Sequence, residues 1–138
     1  LVDLQFKHAL VVHGLDGLDE ISVIGKTSAA EVKDGWAKKY ELTPEQLGLP
    51  RYSYEDLSGG SPQENANILR SIFEGKQRGG RRDMVAANAA AALMVGGKCS
   101  TLREGVTMAG SLIDSGAALR KLEELITESN RIATASVR

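Results

Sequence analysis

Residues 9–20 read Ala-Leu-Val-Val-His-Gly-Leu-Asp-Gly-Leu-Asp-Glu. The first four are a short apolar run without alternation, the pattern of a strand buried on both faces. The run ends at His13-Gly14, and a glycine-punctuated loop follows that carries three carboxylates, Asp16, Asp19 and Glu20. The strand-end loop of an open α/β sheet is where ligands tend to bind. Magnesium takes oxygen ligands, usually one or two carboxylates with water and substrate phosphates filling the rest. The loop thus has the composition of a metal or phosphate site. A solvated turn is the competing reading, because Asp and Gly are common in turns. Asp19 and Glu20 are adjacent, so in an extended segment their side chains diverge. They then serve two ions, or one ion directly and one through water.

Downstream of the loop, Ile21–Ile24 reads as a short extended segment. Residues 27–33 and 36–42 flank Asp34-Gly35, and an Asp-Gly pair supplies the positive φ angles of a two-residue hairpin. From residue 43 the signals are helical. Thr43-Pro44-Glu45-Gln46 places a capping residue, a proline at the first helical position and Gln three residues after the cap, with Gly48 as the stop. Ser53–Asp56 starts another short turn, closed by Gly59-Gly60. Ser61-Pro62-Gln63-Glu64 repeats the capping pattern, and Ala66, Leu69, Ile72 and Phe73 then share one face up to Gly75. Lys76–Arg82 reads as a loop, with Asp83 capping a central, buried helix over about 84–95. Thr101 and Glu104 form a further capping box, and Leu102, Val106, Ala109 and Ile113 mark that helix's inner face. Ser115-Gly116 breaks the pattern. Leu119, Leu122 and Ile126 give a last amphipathic helix, expected to fray from about Ser129.

Composition narrows the class. A chain of 138 residues with 25% charged and 42% hydrophobic residues fits one soluble globular domain. The formal net charge of −1 gives no electrostatic reason for a nucleic-acid or membrane partner. Cys99 is the single cysteine, which excludes an internal disulfide and suits a reducing, cytoplasmic compartment. The apolar stretch Met84–Gly97 is too short for a bilayer, which needs about 20 residues, and Asn88 interrupts it. The order is one convincing buried strand, a hairpin, then helices. A parallel sheet needs more strands than that, and the chain begins with Leu rather than Met. Both features lead us to expect a fragment or processed product with part of its sheet upstream.

Other chemistry-bearing residues have ordinary explanations. His13 at the strand end suits either substrate contact or a hydrogen bond to the turn, and His8 is a weaker candidate. Lys76, Arg78, Arg81 and Arg82 surround Gly79-Gly80, but no aromatic residues interleave, so a solvated loop is expected rather than an anion site. Gly59-Gly60 before Ser61 could hold a phosphate at a helix N-terminus, although capping already accounts for it. Asn88 within an alanine-rich helix needs partners if buried, and backbone at a helix–loop contact is the expected one. Cys99 reads as a packed thiol. The sequence carries no Ser/His/Asp arrangement, no metal-spaced cysteines and no P-loop, and we assign no catalytic residue and no substrate-binding residue to it.

Taken in order, several segments resemble the anthranilate phosphoribosyltransferase family. They are Ala9–Gly14 with Asp16–Ser22, Glu31–Gly35, Thr43–Glu45 with Leu47–Leu49, Leu57–Gly60 with Glu64–Ala66, Asn88–Leu93, Glu104-Gly105 and Ile113–Ala117. The resemblance covers roughly Ala9 to Leu125. It implies that residues 1–138 are a single partial α/β domain. That domain would be the C-terminal portion of the large domain of a nucleoside phosphorylase/phosphoribosyltransferase-type fold, whose N-terminal helical domain and part of the sheet are missing here. It implies a magnesium-dependent enzyme of tryptophan biosynthesis that transfers the phosphoribosyl group of 5-phosphoribosyl 1-diphosphate to anthranilate. The family's magnesium-holding Asp-Glu pair falls on Asp19 and Glu20, which leaves Asp16 as a turn residue. The family's diphosphate loop, phosphate contacts and anthranilate contacts all precede the matched region, as does most of its homodimer contact, so the chain alone is expected to be inactive. Two other readings remain: a pyrimidine nucleoside phosphorylase-like enzyme, and a non-catalytic domain that packs against partner chains.

Overall fold

The computed structural model describes residues 1–135. Strands β1 (His8–Gly14), β2 (Thr27–Lys33) and β3 (Trp36–Leu42) form one antiparallel meander in the order β1-β2-β3. The hairpin follows its turn chemistry: Asp34 and Gly35 both have positive φ, 46° and 86°, and the register runs from Lys33↔Trp36 to Thr27↔Leu42.

β1 differs from the sequence reading. It pairs antiparallel with β2, from His8↔Lys33 to Gly14↔Thr27, so the downstream hairpin takes one of its edges. Nor is it buried on both faces. Leu10 and Val12 pack on the core, while Val11 on the other face is 54% exposed. The physical reason is that an antiparallel sheet is stable with only one face covered, so an unbroken apolar run does not require two. Ile21–Ile24 is not a strand either. Ile21, Ser22 and Val23 are buried and peg an irregular segment into the core.

The helices follow a short 3-10 turn at Pro44–Leu47. They are α1 (Tyr54–Leu57), α2 (Pro62–Phe73), α3 (Gly80–Val95), α4 (Leu102–Asp114) and α5 (Ala117–Ala135). Capping boxes at Ser53 and Ser61 start α1 and α2 where the sequence places them. Thr101 and Glu104 do the same for α4, each side chain accepting the other's backbone N–H at 3.2 Å. α3 begins earlier than expected, after Gly79, and has no side-chain cap. Asp83 is not its cap, because its carboxylate instead accepts the Tyr52 hydroxyl at 2.6 Å. Arg81 and Arg82 therefore lie in the first turn of α3, not in a solvated loop, and Arg81 donates to the Ser58 carbonyl. α5 stays helical past Ser129, to Ala135.

The chain divides into two compact units. The first comprises residues 1–58 and 78–110. Its core is Ile21, Val23, Leu47, Leu49, Ala87, Met94 and Leu102, against which Leu10, Val12 and Leu42 of the sheet pack. The second comprises residues 59–77 and the chain from Ser111. There α2 packs on α5, Ile72 and Ile113 are buried, and Arg70 pairs with Glu123 at 3.7 Å.

Candidate metal-binding loop

The loop after β1 is held by its own backbone and by short polar side chains. Gly14 N–H donates to the Leu18 carbonyl at 2.7 Å, and Gly17 N–H returns to the Gly14 carbonyl at 3.0 Å. Asp16 is turned inward: one carboxylate oxygen accepts Leu18 N–H at 3.3 Å, and the other accepts the Ser22 hydroxyl. Ser22 Oγ in turn accepts Ile24 N–H at 2.9 Å and Gly25 N–H at 3.2 Å. Space inside the turn is so limited that a Cβ on Gly14 would lie 2.6 Å from Asp16 Oδ1. The Tyr54 hydroxyl caps the outside, donating to the Asp16 carbonyl at 2.8 Å. Asp16 is thus consumed as a scaffold, as a turn residue should be.

On the far side of the carboxylate pair the anchor is α3. Ile21 N–H donates to Asn88 Oδ1 at 2.9 Å. Asn88 Nδ2 donates to the Ile21 carbonyl and to the Met84 carbonyl, each at 3.0 Å. The partially buried asparagine is therefore satisfied by backbone at a helix–loop contact, as the sequence implied. Between the Leu18 carbonyl and the Ile21 amide stand only Asp19 and Glu20. Both are exposed, and neither carboxylate has a hydrogen-bond or ion-pair partner among the described residues.

Two exposed carboxylates supply hard oxygen donors and leave most of a coordination shell open. Among the described residues no group of three or more His, Cys, Asp or Glu could hold an ion. A closed, all-protein site such as structural zinc needs is therefore not formed by them, whereas magnesium commonly uses one or two carboxylates beside phosphate and water. The donor set fits magnesium on those terms.

The other candidates have structural roles or none. His13 lies exposed at the end of β1, opposite Ser28. His8 is paired with Glu31 at 2.8 Å, and Glu31 also accepts the Tyr40 hydroxyl at 3.1 Å. Burial, reinforced by Glu31, pushes the Tyr40 phenol up to about 12. Gly59-Gly60 is occupied by its own chain, since the Asn65 carboxamide both accepts from and donates to the Gly60 backbone. Cys99 packs beside the first core. Ser22 and Tyr54 went unremarked in the sequence, although both brace the loop. Ser22 follows the acidic pair closely enough to have been suspected, but Tyr54 lies 38 residues from its partner Asp16 and no local pattern links them. Leu18, Tyr54, Glu55, Leu57 and Ser58 line a cavity of about 400 Å³ beside the loop.

Sheet, helices and loop together define a class. The chain belongs to the glycosyl transferase family, a/b domain, which residues 1–119 match. Within it the chain is similar to anthranilate phosphoribosyltransferases. It is 50% identical to that of Desulfosudis oleivorans over 129 residues, which is 92% of this chain and 38% of the relative. It is also 50% identical to that of Methanobrevibacter smithii, over 94% of this chain and 38% of the relative. Among solved structures, anthranilate phosphoribosyltransferase from Thermus thermophilus superposes with a TM-score of 0.78 at 39% identity, covering 87% of this chain and 35% of that one. The Saccharomyces cerevisiae enzyme in complex with PRPP and Mg superposes with a TM-score of 0.73 at 32% identity, covering 83% and 33%. The chain therefore spans a little over one third of the length of the relatives it matches.

Proposed function

We propose that this chain supplies the metal-holding carboxylates of an anthranilate phosphoribosyltransferase. That enzyme would transfer the phosphoribosyl group of 5-phosphoribosyl 1-diphosphate to the amino group of anthranilate and release diphosphate. The observation that carries the reading is the pinned loop, in which the Asp19 and Glu20 carboxylates are exposed and without a partner among the described residues while Leu18 and Ile21 on either side are tied down. Similarity to relatives of that activity supports it, as does the solved yeast relative that holds PRPP and Mg.

Loss of diphosphate leaves positive charge on the sugar and adds negative charge to the leaving group. A bound magnesium would offset the latter and orient the substrate. Asp19 and Glu20 are the residues that would hold it. They project from the same short loop and bring no competing internal partner. The reaction joins two substrates held in place and is mainly a matter of positioning. A protein nucleophile is not required, in keeping with a loop whose only reactive groups are carboxylates.

The test is magnesium titration of phosphoribosyl transfer by the whole protein that contains this chain. Asp19→Asn and Glu20→Gln should each raise the magnesium concentration needed for half-maximal rate, most visibly at low metal. Titration curves that overlay the unsubstituted protein's would remove the pair from the metal site.

A further inference from the structure

We propose that Asn88 is the positioning residue of the metal site, a clamp through which helix α3 fixes the direction of the Asp19 and Glu20 carboxylates. The inference rests on the metal reading of that pair. It starts from where backbone freedom remains. Leu18 is tied through both its carbonyl, to Gly14, and its amide, to Asp16. Ile21 is tied through both its amide and its carbonyl, and both go to the one side chain of Asn88. The two acidic residues bridge these fixed points, so whatever holds Ile21 sets where Glu20 begins and where Asp19 can reach.

Asn88 is suited to the task in three ways. Its carboxamide offers an acceptor and a donor in one plane, which matches the amide and carbonyl of a single residue. Its second Nδ2 proton goes to the Met84 carbonyl one helical turn back, which locks the rotamer independently of the loop. Its helix is rigidly seated, with Ala86, Ala87 and Ala90 on either side of it at 1% exposure or less. Burial of the Ile21 side chain would by itself keep the segment in the core. It would not fix the rotation of the peptide that joins Glu20 to Ile21, and the clamp does. Hydrogen bonds made directly to metal ligands typically change metal affinity by about 10- to 100-fold when removed, and a clamp on the residue next to Glu20 is expected at the low end of that range.

Manganese serves as the probe, because its paramagnetism broadens nearby amide resonances of the chain and magnesium competes it away. In the unsubstituted chain, broadening should centre on residues 18–22. Asn88→Ala should raise the manganese concentration for half-maximal broadening by roughly tenfold, while Ile72→Ala, a core truncation in the other compact unit, should leave it unchanged. Equal affinity in Asn88→Ala and the unsubstituted chain overturns the proposal, and so does an equal loss in Ile72→Ala, which would mark the effect as general destabilisation. Asp19→Asn with Glu20→Gln separates the two levels of inference. If that double variant binds manganese as well as the unsubstituted chain does, the metal reading fails. If it loses binding and Asn88→Ala does not, only the clamp fails. A measurement on the unsubstituted chain decides the matter should Asn88→Ala not fold. Coupling is reciprocal, so saturating magnesium should slow hydrogen exchange of the Ile21 amide several-fold and leave the Leu122 amide unchanged. An Ile21 amide indifferent to magnesium overturns the clamp.

Discussion

Tyr52 shows how much one side chain joins in this molecule. Its amide donates to the Val23 carbonyl at 2.9 Å, and its hydroxyl donates to Asp83 at 2.6 Å, so it ties the segment after the acidic loop to the first turn of α3. Burial pushes the phenol up to about 12, and the Asp83 carboxylate beside it acts in the same direction. The folded value thus lies above the unfolded value near 10. For a group shifted this way, the stabilisation is fully present below the unfolded value and is lost as pH rises through the folded one. Urea midpoints of the chain should therefore fall between about pH 10 and 12. Tyr40, raised to about 12 by burial and Glu31, contributes to the same decline. Tyr52→Phe should cost about 1–2 kcal/mol at neutral pH through the lost hydrogen bond to a carboxylate, and its alkaline decline should be shallower, because only Tyr40 remains. Parallel alkaline curves for the two proteins would show that Tyr52 is not the titrating group. Residues of this kind mark the edge of what local sequence reveals. Asp83 has the right type and place for a helix cap, yet its partner lies 31 positions away. Asn88 could be read as needing partners, but not as choosing both backbone groups of Ile21.

At the level of elements, the contact between α3 and α4 is set by a pair of small residues. A Cβ on Gly105 would lie 2.8 Å from both Cα and Cβ of Ala90, which is itself fully buried. The two helix backbones can approach this closely only because one of the residues has no side chain. Helix propensity alone would favour Gly105→Ala by about 1 kcal/mol. The clash is with backbone rather than with a flexible tip, and overpacking of this sort costs roughly 1–3 kcal/mol; a contact of 2.8 Å lies at the upper end of that range, so a net loss of up to about 2 kcal/mol is expected. Thermal unfolding of Gly105→Ala tests this, and an unchanged or higher Tm would mean that the helices separate freely. The same contrast explains which elements were legible in the sequence. The hairpin and the starts of α1, α2 and α4 are written in local chemistry: Asp34-Gly35, and capping boxes at Ser53, Ser61 and Thr101. The start of α3 is not, because Gly79 offers no cap and the first turn is held by Tyr52 and by the Ser58 carbonyl. The pairing of β1 with β2 is also non-local, since an apolar run states that a strand wants burial and does not state which neighbour provides it.

For the molecule as a whole, three carboxylates at the end of β1 could be read from residue types, and the family resemblance narrowed them to Asp19 and Glu20 as the proposed pair, whereas the frame around that pair could not be read. That frame draws on β1, the turn around Asp16, the hydroxyl of Tyr54 and the helix bearing Asn88, which the fold brings together from positions 14 to 88. What the frame presents is also one-sided. Residues 13–20 hold three carboxylates and no lysine or arginine. The nearby Lys26, whose carbonyl accepts Leu15 N–H, directs its ammonium to Glu41 at 2.7 Å. A sugar diphosphate is bound by guanidinium, ammonium and backbone N–H donors as well as by metal. A loop that offers only carboxylates can hold the metal that meets such a substrate but repels the substrate itself. The chain spans a little over one third of the length of its relatives, which leaves ample room in them for the cationic half of a site. We therefore expect the 138-residue chain by itself to form no phosphoribosyl anthranilate from 5-phosphoribosyl 1-diphosphate, anthranilate and magnesium. The loss of anthranilate fluorescence should match a protein-free control at every chain concentration tried. Product that accumulates in proportion to the amount of this polypeptide would mean that its own surface also binds the diphosphate, and that the division of labour argued from the charge of the loop is wrong.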